Sequence, residues 1–228
     1  MKNFNLLQTA ARVAKASPWL HNIYYSLRYR FGCNRVYDCG NHNQFNWNRA
    51  VFKNVKLTIQ GNHNTIQVEP GARVSNVEII VCGSGNVLTI GQNCAFSSGS
   101  VYFGQDNNRI TIGRETTISQ AALTITETDC CITIGCDCML AWGIDIRCGD
   151  GHPIIDLNSK KKLNQASSIE IGDHVWLAAD VQILKGVSIV ENSVIGSRSL
   201  VTKNIPTHCV AAGIPAKVIR EKVTWLRK

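Results

Sequence analysis

Two residues of this 228-residue chain have the side chains and the setting for chemistry on a polar reaction centre: His152, in the stretch CGDGHPIID at 148–156, and Trp176, in DHVWLAAD at 173–180. An imidazole titrates near neutral pH and can take or return a proton. An indole N–H only donates a hydrogen bond. If the chain between them is a loop, register puts the two at one end of a cleft beneath a basic flap. The competing reading makes His152 a turn residue and Trp176 a rim residue packing a coil edge. The other histidines carry less. His42 and His63 repeat at one place in GNHN and read as turn residues, His174 reads as structural, and His21 and His208 lie outside any constellation.

What must position these groups is a repeat. Ile171, Leu177, Ile183, Ile189, Ile195 and Val201 are spaced by six without interruption. Four residues after each of the first five stand Val175, Val181, Val187, Ser193 and Ser199, all small or β-branched. A period of six fits neither a helix nor a long strand. It fits short strand segments separated by tight bends, three to a coil of about 18 residues, each turning one aliphatic side chain inward. Upstream, GNHNQFNW, GNHNTIQV, GSGNVLTI and QDNNRITI echo one another, and Val68, Ile90, Ile112 and Ile134 fall 22 residues apart, on one corner of the same solenoid. Asn and Gly at the bends suit left-handed backbone angles, and stacked Asn side chains can bond between coils. Cys94, Thr116 and Cys138 keep the 22-residue spacing and read as small core residues.

The ladder breaks once. Ile134, Leu140 and Ile146 point to position 152 as the next corner, and a histidine stands there. The chain then runs without hexads through Lys160, Lys161 and Lys162 until Ile171, which predicts a protruding loop over about 153–170. The domain reading is a helical segment over 1–33, with Ser17 and Pro18 opening its second helix, a solenoid over 34–206, and a C-terminal loop and short helix over 207–228.

The totals narrow the function classes. With 44% hydrophobic residues the chain can bury a core, and no run of about 18 apolar residues stands ready to cross a membrane. Ten cysteines without an export leader predict reduced thiols in a cytoplasmic protein, and their spacing matches no zinc site. The net charge of +8 is concentrated in residues 1–37, which hold Lys2, Arg12, Lys15, Arg28, Arg30 and Arg35 and no acid. No nucleic-acid-binding motif accompanies that charge, so a solvated face, an acidic partner or peripheral contact with the inner face of a membrane are the readings that stand.

The hexads of 171–201, the run IGDHVWLAADVQILKGVSI and the ending AAGIPAKVIR resemble the left-handed β-helix acyltransferases of the hexapeptide-repeat superfamily. DGHPI at 150–154 with Trp176 downstream is similar, more particularly, to the polysialic acid and related capsule O-acetyltransferases of bacteria. The resemblance is good over about 110–222, looser from 40 and absent before 33. It implies the left hand of the solenoid, which periodicity cannot show. It also implies a homotrimer, acetyl-CoA in a cleft between neighbouring solenoids, no metal, and His152 as general base on an acceptor hydroxyl, with Asp150 or a nearby carbonyl fixing its tautomer. Trp176 would then donate to the oxyanion or the departing thiolate. Ala178, Ala179, Gly196, Ser197 and the Gly213–Lys217 loop match CoA-binding segments, with Lys217 and Arg220 for the phosphates. Many relatives carry glycine where Ala178 stands. Lys160, Lys161 and Lys162 would favour an anionic glycan acceptor. A small-molecule acceptor, and a non-catalytic solenoid used for assembly, are the rival readings.

Overall fold

Six-residue spacing works because each inward side chain sits on the next of three faces. The computed structural model describes residues 33–47 and 49–227, and within them three parallel sheets form the sides of a prism. The first face stacks Arg35–Asp38, Lys56–Ile59, Val77–Val81, Gly99–Phe103, Ala121–Ile125, Ile144–Arg147, Gln182–Ile183 and Leu200–Val201. The second stacks Gln44–Asn46, Thr65–Val68, Val87–Ile90, Arg109–Ile112, Cys131–Ile134, Ile169–Ile171 and Ser188–Ile189. The third stacks Val51–Lys53, Arg73–Ser75, Ala95–Phe96, Thr117–Ile118, Met139–Leu140, Trp176–Leu177, Val194–Ile195 and Cys209–Gly213, and closes with the antiparallel Ala216–Glu221.

The expected solenoid is therefore present, and its ladder is its core. Ile171 and Ile189 pair on the second face, Leu177 and Ile195 on the third, Ile183 and Val201 on the first, none more than 1% exposed. Val68, Ile90, Ile112 and Ile134 stack on the second face as read. At the bends, Asn43, Asn64, Asn86 and Asn108 form a ladder in which each side-chain oxygen accepts from a backbone amide of the next coil at 2.8–2.9 Å. Cys94, Thr116 and Cys138 are buried, and each donates to a carbonyl of the neighbouring coil, Gly113, Gly135 and Gly172. His42 and His63 take left-handed angles, with their rings stacked 5.1 Å apart.

Two expectations are corrected. The register does not carry His152 to a corner of the core: the place beneath Ile134 is filled by Ile171, and the chain leaves the coil after the buried Cys148. Gly151, at φ +76 with open space around it, turns the backbone outward, and Pro153 follows with no amide hydrogen to give a sheet. The short helix expected within 207–228 is absent. Cys209 and Ala211 point inward with a period of two and extend the third face, Gly213 turns the chain at φ +107, and Ala216–Glu221 pairs back as a hairpin. The helical segment expected over 1–33 lies outside the described residues but for Cys33, as do the basic residues before Arg35.

Candidate functional site

The excursion between Ile144–Arg147 and Ile169–Ile171 closes on itself as a small hairpin. Ile155 bridges Lys162 in antiparallel fashion, Leu163 donates to the carbonyl of Ile154 at 2.8 Å, and Ser167 donates to that of Cys148 at 2.9 Å. The Asp156 carboxylate knots the tip, accepting from the amide and hydroxyl of Ser159 at 2.6 and 2.8 Å; these bonds hold its carboxyl below the usual range. Asp, Asn and Ser side chains at a tight turn are expected of such a sequence. The anchoring of the excursion is not.

That anchor is Asn164, 9% exposed. Its Nδ2 donates to the Asp150 carboxylate at 2.7 Å and to the carbonyl of His152 at 2.8 Å, while its Oδ1 accepts from the amide of Ile154 at 2.6 Å. One amide side chain thus fixes three points of DGHPI. Lys185, on the solenoid beneath, forms an ion pair with Asp150 and donates to the carbonyl of Asn164 at 3.1 Å. The Lys185 ammonium first, and Asn164 second, hold the Asp150 carboxyl below its ordinary range. Asp150 is thereby committed to the anchor rather than to the imidazole of His152, which stands exposed. Neither Asn164 nor Lys185 carried a sequence signal, since both act across long separations and outside the hexad pattern.

Two clefts flank the base of the excursion. One of about 370 Å³ is lined by Asp145, Arg147, Gly149, Asp150, Gln182 and Lys185. Arg147 Nε lies 2.9 Å from both oxygens of Asp145, so two acids and two bases face this cleft and nearly balance. The other, of about 400 Å³, is lined on the second face by Cys131, Thr133, Ser168, Glu170, Gly186 and Ser188 among others. The three lysines named as acceptor contacts diverge. Lys162 pairs with Glu127, whereas Lys160 and Lys161 stand exposed at the outer turn.

Trp176 opens a third-face strand, in register with Met139 on one coil and Val194 on the next, and is half-buried. Within one chain it does not share a cleft with His152, which leaves from the corner between the first and second faces. Past Leu177, the corner leading to the first face holds Ala178 and Ala179 on one coil and Gly196 and Ser197 on the next. The register continues to Ala212, with Ala178 donating to Ile195 at 2.9 Å and Gly196 to Ala211 at 2.8 Å. These predicted CoA contacts do form one column of small residues. A Cβ on Gly196 would lie 2.9 Å from that of Ala212, so glycine lets the coils close there. Lys217 and Arg220 stand exposed on the terminal hairpin, opposite Ala212 and Val210. At the head of the column Trp142 is 62% exposed, a residue the sequence reading passed over because it falls between ladder positions. Among the described residues no three His, Cys, Asp or Glu side chains cluster as a metal site.

No family model matches the chain. It is 42% identical over 93 residues to the polysialic acid O-acetyltransferase of Escherichia coli O1:K1 / APEC, covering 41% of this chain and 30% of that protein. It is 48% identical over 71 residues to the galactoside O-acetyltransferase of Escherichia coli (strain K12), covering 31% and 35%. These matches span about a third of the length of the curated relatives. Two solved structures align much further. The polySia specific acetyltransferase NeuO gives a TM-score of 0.80 at 37% identity over 86% of this chain and 89% of that one. The polysialic acid O-acetyltransferase OatWY gives 0.75 at 32% identity over 86% and 91%. With the hexad ladder, the ejected DGHPI segment and the small-residue corner all in place, the chain belongs to the hexapeptide-repeat O-acetyltransferase family that includes these polysialic acid O-acetyltransferases.

Proposed function

We propose that the protein transfers an acetyl group from acetyl-CoA to a sugar hydroxyl of a bacterial surface polysaccharide, of capsule, polysialic acid or O-antigen type, with His152 as general base. The observation that carries this reading is the clamped excursion: the solenoid ejects one segment, and a buried Asn164 fixes its backbone while His152 stays exposed, two residues past the Asp150 that lines a cleft of about 370 Å³. A sugar hydroxyl is a poor nucleophile until its proton is taken, and a positioned base contributes about 10²- to 10⁴-fold in rate.

His152 takes the hydroxyl proton as the oxygen attacks the thioester carbonyl. The new C–O bond forms, the C–S bond breaks, and the proton returns from the imidazole to the departing thiolate. Trp176 donates its indole N–H to the oxygen or sulfur that gains charge. The column of Ala178, Ala179, Gly196 and Ser197 lets a pantetheine arm approach the backbone, and Lys217 and Arg220 face the phosphates. Because His152 and Trp176 stand apart in one chain, the working cleft is built between copies in a homotrimer. Ile154, Leu157 and Leu163, exposed on the excursion, are apolar surface that a neighbouring copy would cover. Acetyl-CoA is available in the cytoplasm, and the reaction is placed there, on chains not yet exported; docking of residues 1–37 at the inner membrane face belongs to the same proposal.

Similarity to a galactoside O-acetyltransferase favours a second reading, a small glycoside acceptor. Supplying the purified protein with acetyl-CoA and a panel of polysaccharide fragments and free glycosides, while following CoA thiol release, separates the two. Turnover on polymer fragments is expected, and turnover on small glycosides alone would overturn the polymer assignment.

A further inference from the structure

Beyond the terminal hairpin, residues 222–227 turn back along the corner between the second and third faces. This corner carries a column of left-handed residues, of which Glu115, Asp137, His174, Asn192 and His208 come from five successive coils. Val223 donates to the carbonyl of His208 at 3.0 Å. Trp225 then lies against His174 in a doubly fixed geometry: its Nε1 donates to the His174 carbonyl at 2.8 Å, and its own carbonyl meets His174 Nε2 at 2.9 Å. The two rings stack at 4.2 Å and 7°. His174 Nδ1 meets Asp137 at 2.7 Å, and Arg227 reaches the same carboxylate at 2.6 Å, the Thr117 hydroxyl at 3.0 Å and the Cys138 carbonyl at 2.7 Å.

This is more than hidden apolar area. Trp225 is 6% exposed while its neighbour Leu226 is 84% exposed, so the tail buries one ring and orients it with two hydrogen bonds and a stack. The ring so held faces Trp176, two residues past His174, with centroids 6.2 Å apart at 52°. We propose that Trp225 is a positioning residue for Trp176: the tail supplies the wall that holds the Trp176 indole in the orientation acetyl transfer uses. The proposal rests on the reading of Trp176 as the indole that meets the thioester.

The test is a double-mutant cycle of Trp176→Phe, Trp225→Ala and the pair, assayed for acetyl transfer. Trp225→Ala is expected to lower kcat on the order of tenfold, because small misplacements of reacting groups cost that much or more. A group acting only in the transition state leaves KM for acetyl-CoA within about twofold. The pair is expected to be no slower than Trp176→Phe alone, since Trp225 acts through that indole. Multiplying losses, or an unchanged kcat in Trp225→Ala, would overturn the proposal. Trp225→Phe, which keeps a ring but loses the indole donor, is expected to fall between wild type and Trp225→Ala, and it replaces the alanine variant if that fails to fold. With 5-fluorotryptophan incorporated, the Trp176 resonance, assigned by its loss in Trp176→Phe, is expected to shift or broaden in the Trp225 variant; an unmoved resonance counts against positioning. Should wild type transfer no acetyl group, the functional reading fails, and the fluorine spectrum still decides whether Trp225 places Trp176.

Discussion

The side-chain amide of Asn164 holds the carbonyl of His152 at 2.8 Å, and its oxygen holds the amide of Ile154 at 2.6 Å, so the backbone on both sides of Pro153 hangs from one buried residue. A general base is only as useful as its placement. Asn164→Ala is expected to lower kcat by about 10- to 100-fold while leaving KM for acetyl-CoA nearly unchanged, since Asn164 touches Asp150, His152, Ile154 and Lys185 and none of the residues proposed to hold acetyl-CoA. Steady-state kinetics on the two substrates separately measures this, and a loss confined to KM for acetyl-CoA would count against the anchor.

Acid should loosen the same anchor. Lys185 and Asn164 hold the Asp150 carboxyl below its usual range. A carboxyl with a depressed folded pKa contributes stability above its unfolded value and loses it as pH falls through the folded one. The difference in melting temperature between wild type and Asp150→Asn is therefore expected to hold down to about pH 4, the ordinary Asp value, and to shrink as pH falls below it. A gap that widens in acid would contradict the assignment. Asp150 is half-exposed, so the effect is local and modest.

The ladder was legible because burial imposes it. Ile171 to Val201 recur every six residues since each coil offers one inward place per face, and Asn64, Asn86 and Asn108 recur because each must satisfy an amide of the next coil. His152 stood out by breaking that order, although the break proved to be an exit from the coil rather than a substitution within it. Asn164, Lys185 and Trp225 were illegible. They act through side-chain contacts that reach across separations such as 12, 35 and 51 residues, where no period exists to announce a partner. The C-terminal helix was misread for a related reason: in 209–221 the pairing partner, the edge of the third face, decided the conformation.

The ladder makes a direct stability prediction. Leu177, fully buried at the centre of the third face, is expected to cost about 2–5 kcal/mol when cut to alanine, through lost transfer energy and the cavity left behind. Denaturant titration of wild type and Leu177→Ala under identical conditions measures it. A cost comparable to that of an exposed-site substitution would show that the coil at Leu177 is not part of the cooperative core.

Thiol reactivity should follow the same burial. Burial pushes the thiols of Cys94 and Cys138 up to about 11 and that of Cys148 to about 12, while Cys33 and Cys39 are exposed. The thiolate is the reactive form. Timed alkylation of native protein at mildly alkaline pH, read by peptide mass spectrometry, is expected to label Cys33 and Cys39 early and the three buried residues only on unfolding. Early labelling of Cys148 would mean that the base of the excursion opens.

The most direct test of the central claim compares wild type with His152→Ala, measuring acetyl-CoA-dependent transfer to a polysaccharide acceptor together with acetyl-CoA binding by calorimetry. Binding is expected to be retained and transfer to fall by about 10²-fold or more, the contribution of a positioned base. Equal transfer rates in the two proteins would contradict it.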